Sequence, residues 1–174
     1  MKEPRIRVSG ILKKDDKILF VKHRKKGEEY YLLPGGGVDF GETFETALKR
    51  EFLEEVNINI SVDKLCIISE GVDPKGEKHI INLVFLVDYV SGEIVLPDEE
   101  RIVGIEYLEV TNLNNYIIYP NIKKELKKNS FDPHFYINTK GRNDLVIHND
   151  KTAKSNVGVI IETKKITNSA EMLS

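Results

Sequence analysis

Between Leu33 and Ile58 the chain reads Leu-Pro-Gly-Gly-Gly-Val-Asp-Phe-Gly-Glu and then runs on without glycine or proline until past Asn57. Pro34 biases Leu33 to an extended conformation, and three successive glycines permit backbone angles and close approaches that a side chain forbids. Such a turn is built for ligand proximity, with Gly36 and Gly37 as the candidate substrate contacts. Behind it, good helix formers with Phe44, Ala47, Leu48 and Phe52 at helical spacing predict a helix of about three to four turns. Thr43 suits its N-cap, Glu45 its first turn, and Asn57 a left-handed end.

On that helix Glu51, Glu54 and Glu55 stand at i, i+3 and i+4, which places their carboxylates within one arc. Like charges at that spacing weaken a helix slightly and raise the pKa of at least one member, so a counter-charge is expected. Arg50 supplies one positive charge, and a divalent cation would supply more. Carboxylate oxygens with a nearby backbone carbonyl are hard ligands, favouring Mg²⁺ or Mn²⁺ over zinc, and no Cys or His cluster competes. Taken alone, the same residues also read as a solvated, salt-bridged helix face. The glycine turn directly in front favours the metal.

Gly36, five residues, Glu42, seven residues, Arg50-Glu51-Phe52, one residue, Glu54-Glu55, one residue and Asn57-Ile58 together resemble the Nudix box of Nudix hydrolases. Phe52 departs from the usual small aliphatic, and Asn57 stands where glycine is usual, although asparagine also tolerates a left-handed helix end. With less specificity the resemblance runs from Arg5 to Leu126, and it is greatest to small bacterial ADP-ribose pyrophosphatase-like members.

That resemblance implies an α/β/α sandwich with a mixed sheet between helices. It also implies Mg²⁺-dependent hydrolysis of a diphosphate linkage in a nucleoside diphosphate derivative, ADP-ribose or a nucleoside triphosphate, releasing a nucleoside monophosphate. Glu51, Glu54 and Glu55 would hold the ions with the Gly35 carbonyl, and Arg50 with Glu42 would fix the carboxylates. Glu54 or a loop glutamate, Glu99 or Glu100, would orient or deprotonate water; a plain solvated turn is the other reading of that loop. Pro74, sixteen residues past Ile58, is placed similarly to a proline associated with ADP-ribose hydrolysis in the family. Tyr107 stands where tryptophan is more usual. Two alternatives stay open: a non-catalytic nucleotide sensor on the same fold, and an RNA 5′-end pyrophosphohydrolase.

The remainder reads as scaffold. Its 174 residues suit one domain, taken as a Nudix domain over 1–128 with a β-rich C-terminal extension over 129–174 packed on it. Arg5 to Lys13 and Lys17 to Lys22 predict a hairpin turning at Asp15-Asp16. The basic run His23-Arg24-Lys25-Lys26 is a solvated loop or, with Arg24 foremost, a contact for substrate phosphate or carboxylate. Tyr31 is expected in the core and Tyr30 as a base-stacking surface. Ile58 to Ser69 predicts a strand pair or one bent strand, Ile80 to Val87 a central strand, and Ile102 to Val110 another. Tyr119-Pro120 should introduce an amphipathic helix to about Lys128.

In the extension, Phe135-Tyr136-Ile137, Leu145-Val146-Ile147 and Val157 to Ile161 look like strands, with a turn at Gly141-Arg142-Asn143-Asp144 and a loose end. It would extend the sheet, cover the site or make a homodimer contact. A net charge of −2 predicts no general nucleic-acid affinity. The lone Cys66 excludes an internal disulfide and fits a buried thiol in a reducing cytoplasm. The charged start is not a signal peptide, and no apolar run approaches a membrane span.

Overall fold

A computed structural model describes residues 3–75 and 77–128, together with the backbone of 143–148 and 160–165. Strands β1 (Arg5–Lys14) and β2 (Lys17–Lys25) form the expected hairpin over Asp15-Asp16. Lys26 and Gly27, at φ 52° and 83°, turn the chain into β3 (Glu28–Leu32). Two consecutive left-handed residues match the twist of a tight hairpin. The glycine triple is itself a short strand, β4 (Gly35–Gly37), paired antiparallel with β1 so that Arg7 faces Gly37 and Ser9 faces Gly35.

Helix α1 (Phe44–Val56) follows, capped by the Thr43 side chain on the Thr46 amide and ended by Asn57 at φ 59°. Next come β5 (Ile58–Val72), one long strand with register shifts at Val62/Lys64 and on either side, β6 (His79–Gly92) and β7 (Ile102–Glu109). A 3-10 turn over Val110–Asn115, β8 (Ile118–Tyr119) and α2 (Lys123–Leu126) close the core. The curled mixed sheet runs β5-β6-β1-β2-β3-β8, with β4 also on β1 and β7 also on β2. β1 and β6 are parallel and central, as the apolar run at Ile80 to Val87 requires.

Both sheet faces are buried, which is why β1 and β2 read as nearly continuous apolar runs. Val8, Leu12, Leu19 and Val21 pack with Ala47, Leu48, Phe52 and Val56 of α1. Ile11, Ile18 and Phe20 pack with Leu113, Ile122 and Leu126 from the 3-10 turn and α2. Those two layers make the expected α/β/α arrangement. Phe52 fits because Gly10 lies beneath its ring: a Cβ there would come within 2.4 Å of Phe52 Cε2.

Several expectations need correction, the first being the glycine triple, predicted as a turn and found as the strand β4. The helix predicted from Tyr119-Pro120 to Lys128 is one turn, Lys123–Leu126; Ile122 and Leu126 anchor the segment in the core, and Ile118–Tyr119 before it pairs with β3. Phe44 is 43% exposed, resting on the Phe85 ring at the start of α1, and Val56 completes the apolar stripe instead. Cys66 is buried. In the extension, β9 (Asn143–His148) holds Leu145-Val146-Ile147 and pairs antiparallel with β10 (Ile160–Lys165), so the second strand begins later than predicted, and Asn143-Asp144 opens a strand rather than a turn. Phe135-Tyr136-Ile137, Gly141-Arg142 and the chain end lie outside the described residues. Among the described residues no helix is long and apolar enough to cross a membrane.

Candidate active site

The antiparallel β1–β4 pairing pins the glycine turn against the C-terminal half of α1. Gly35, at φ 144°, donates its amide to Glu55 Oε2 at 2.9 Å. A Cβ on Gly36 would lie 2.2 Å from the Glu51 carboxyl atoms, so that carboxylate occupies the space a side chain would fill. Two of the helix carboxylates are thus seated on the turn that precedes the helix by only a few residues. Glu54, with 59% of its side chain exposed, points outward.

Arg50 ties the turn, the helix and the carboxylates together. Its Nε and Nη2 donate to the two Glu42 oxygens, each at 3.0 Å, in a bidentate fork. Nη1 donates to Glu51 Oε1 at 2.7 Å and Glu54 Oε2 at 3.3 Å, and Nη2 to the Gly37 carbonyl at 3.1 Å. The bonds to Glu42 and Glu51 raise the Arg50 pKa, and Arg50 in turn holds Glu42 below the usual carboxylate range.

Glu55 behaves differently. Burial pushes its carboxyl up to about 7, with Glu51 and Glu99 adding to the rise and the Gly35 amide and Arg7 opposing it. Crowding on the helix was the expected cause; burial is the larger one. A half-buried carboxylate cluster whose innermost member resists ionisation is a donor set that suits a hard divalent cation. Among the described residues, no three such side chains already converge in a ligating arrangement.

Arg7 escaped the sequence reading. It enters from β1 opposite Gly37, donates Nη2 to the Leu33 carbonyl at 3.2 Å and lies within electrostatic reach of Glu55, Glu51 and Tyr30. Around it gather polar groups that the sequence also hid. Ser9 donates to Asn82 Oδ1 at 2.9 Å, while His23 Nε2, Ser69 Oγ and Asn82 Nδ2 are buried without a partner among the described residues. The visible signals were an arginine between apolar residues at the start of β1 and an asparagine inside the Ile80 to Val87 run.

The other candidates separate. Tyr31 is buried as expected, and its hydroxyl donates to Glu106 at 3.1 Å. Tyr30 stacks on His23 with centroids 5.5 Å apart and meets Tyr119 edge-on, giving an aromatic wall beside Arg7. Burial keeps His23 below its ordinary pKa, reinforced by Arg7 and Arg101. Arg24 is turned along the sheet to Glu29 and away from the carboxylates. Glu99 is an electrostatic neighbour of Glu55, whereas Glu100 lines a separate depression with Arg24, Lys25, Lys26 and Arg101. Pro74 lies in the turn between β5 and β6.

The NUDIX domain family matches residues 3–130. The chain belongs to the Nudix family. A second family, a domain of unknown function called DUF7149, matches residues 105–174. An ADP-ribose pyrophosphatase of Methanocaldococcus jannaschii is 34% identical over 111 residues, which are 63% of this chain and 64% of that protein. The NAD-capped RNA hydrolase NudC of Vibrio atlanticus is 27% identical over 121 residues, 70% of this chain and 43% of that protein. The chain therefore spans less than two thirds of the length of either relative. A crystal structure of a MutT NUDIX hydrolase from Burkholderia pseudomallei superposes with a TM-score of 0.66 at 25% identity, covering 74% of this chain and all of that one. The Nudix box thus sits on the Nudix fold, as the motif alone implied.

Proposed function

We propose that this Nudix domain hydrolyses a diphosphate linkage in a nucleoside diphosphate derivative, with ADP-ribose the first substrate to test, and releases a nucleoside monophosphate. The observation that carries this reading is the seating of Glu55 and Glu51 on the glycine turn, with Glu54 beside them and Arg50 clamping the set. Glu51, Glu54, Glu55 and the Gly35 carbonyl would hold Mg²⁺ or Mn²⁺, which when bound neutralises diphosphate charge and acidifies water.

The chain's own groups do the rest. Arg50 and Glu42 fix the carboxylates against the turn, and Gly36 and Gly37 admit the diphosphate close to the backbone. Arg7 offers a guanidinium to the charge that the substrate brings. Glu54 or Glu99 orients or deprotonates the water that attacks phosphorus, and Tyr30 with Tyr119 offers rings to a base. The P–O bond of the anhydride breaks, and each half leaves with a terminal phosphate. The buried Cys66 suits a reducing compartment such as the cytoplasm.

The M. jannaschii relative's name supports ADP-ribose as substrate, and the NudC relatives favour a second reading in which the substrate is an RNA 5′ end. The net charge of −2 weighs against broad RNA binding. Monophosphate release from ADP-ribose, nucleoside triphosphates, dinucleoside polyphosphates, nucleotide sugars and capped RNA, with Mg²⁺ or Mn²⁺, tests the proposal. One substrate class standing well above the others is expected. No turnover, with a nucleotide still raising the melting temperature, would make the protein a sensor instead.

A further inference from the structure

Where the residues after Glu99 meet the end of β2, a depression of about 530 Å³ is lined by Arg24, Lys25, Lys26, Glu100, Arg101 and Val103 beside Gly27. Four cationic side chains meet one carboxylate there. Arg24 is engaged by Glu29. Among the described residues, Lys25, Lys26 and Arg101 have no carboxylate partner within ion-pair distance. All three are exposed, so water shields them in the free protein, and an anion entering the hollow would meet them together.

The hollow is built by backbone rather than by mobile side chains alone. The Lys26-Gly27 hairpin turn forms one wall. The Arg24 amide donates to the Arg101 carbonyl at 2.9 Å, fastening the end of β2 to the other wall, and the Ile102 amide donates to the Glu99 carbonyl at 3.1 Å. Glu100 and Arg101, the next two residues after Glu99, line the hollow. His23, which precedes Arg24 in β2, stacks on the Tyr30 ring with centroids 5.5 Å apart, so the hollow begins one residue along β2 from the aromatic wall proposed to receive a base. The depression shares no lining residue with the carboxylate site.

We propose that this depression is a subsite for a distal phosphate ester, carried by the substrate beyond the scissile diphosphate and received by Lys25, Lys26 and Arg101. The proposal rests on the diphosphate-hydrolase reading for its position in the reaction, but phosphate binding there is testable separately. A phosphate monoester on a small nucleotide and the phosphodiester of an oligoribonucleotide present the same chemistry, so both sources are tested.

With the full chain, kcat/KM is compared for ADP-ribose, its 2′-phosphate, and an adenine-dinucleotide-capped oligoribonucleotide, in wild type and in the double variant Lys25→Gln/Lys26→Gln. A gain of roughly tenfold for a phosphate-bearing substrate, about what one charge-assisted contact supplies, is expected in wild type. In the double variant the ratio to ADP-ribose should fall toward one. Which substrate gains identifies the source; equal efficiencies in wild type, or a ratio that the variant leaves intact, overturns the proposal. Binding of adenosine 3′,5′-bisphosphate against AMP, followed by calorimetry, needs no turnover. Tighter bisphosphate binding that the double variant abolishes supports the subsite even if every substrate is inert, which would count against hydrolysis alone. Equal binding of the two ligands would remove the subsite.

Discussion

Ionising Glu55 is harder in the folded chain than in the unfolded one, because burial, Glu51 and Glu99 all disfavour its charge. Its folded value of about 7 lies above the ordinary 4.5, so the folded state holds a proton that the unfolded chain releases. The associated stability is complete below the ordinary value and is lost as pH rises through about 7. Glu42, lowered by Arg50, acts in the opposite sense but below that window, while His23, lowered by burial, opposes Glu55 within it. The difference between wild type and Glu55→Gln isolates the one group. In chelator, melting curves should show the variant gaining on wild type as pH rises from about 5 to about 8; a difference that stays flat would contradict the burial of this carboxylate. Added Mg²⁺ should raise the wild-type melting temperature more at the higher pH, since the cation binds the ionised form; an equal rise at both would count against Glu55 as a ligand. Glu51, Glu54, Glu55 and Arg50 were legible because helical spacing is local. Arg7, Ser69 and Asn82 were not, because strand pairing across large sequence separations brings them together.

Among the elements, α1 was readable to the cap, since Thr43 and Asn57 act through their own backbone neighbours, whereas the glycine triple, expected as a turn, is a strand because it pairs with the distant β1. The turn's glycines have different duties, and substitution separates them. At Gly35 a Cβ would lie 2.1 Å from the Val8 carbonyl oxygen, and φ is already 144°. Backbone cannot swing aside, so Gly35→Ala should lower unfolding stability in urea by roughly 1–3 kcal/mol or more. At Gly36 the clash is with the Glu51 carboxylate, the far end of a flexible side chain. Gly36→Ala should keep most of its stability yet lose turnover, because Glu51 is displaced; comparable stability losses in the two variants would contradict this division. Phe52 shows how an element can be right in sequence while its packing is not. The substitution for a small aliphatic was visible, but the room made by Gly10 on β1 was not. Phe52→Ala should cost about 3–5 kcal/mol by emptying that space, measurable in the same urea titrations. The helix expected after Pro120 is a single turn, Lys123–Leu126, set beside the short parallel pairing of β8 with β3 that precedes it.

At the scale of the molecule, the described core closes at Leu126, with α1 over one sheet face and the 3-10 turn and α2 over the other. The layering was legible through the family resemblance that the box motif carries. The curl that carries β1 from β6 and β4 to β2 was not, because it depends on which strands meet. We propose that residues 1–128 form the domain that carries the reaction. A chain ending at 128 should retain the cooperative melt and a few-fold of full turnover, and a molten or inactive product would assign the extension a part in the site. The central claim is that carboxylates of α1, seated on the glycine turn, run hydrolysis of a diphosphate. AMP release from ADP-ribose with Mg²⁺, compared between wild type and a folded Glu55→Gln, tests it most directly. A fall in kcat of roughly 10²–10⁴ is predicted for a carboxylate central to the chemistry, and an unchanged rate in the folded variant would contradict the assignment.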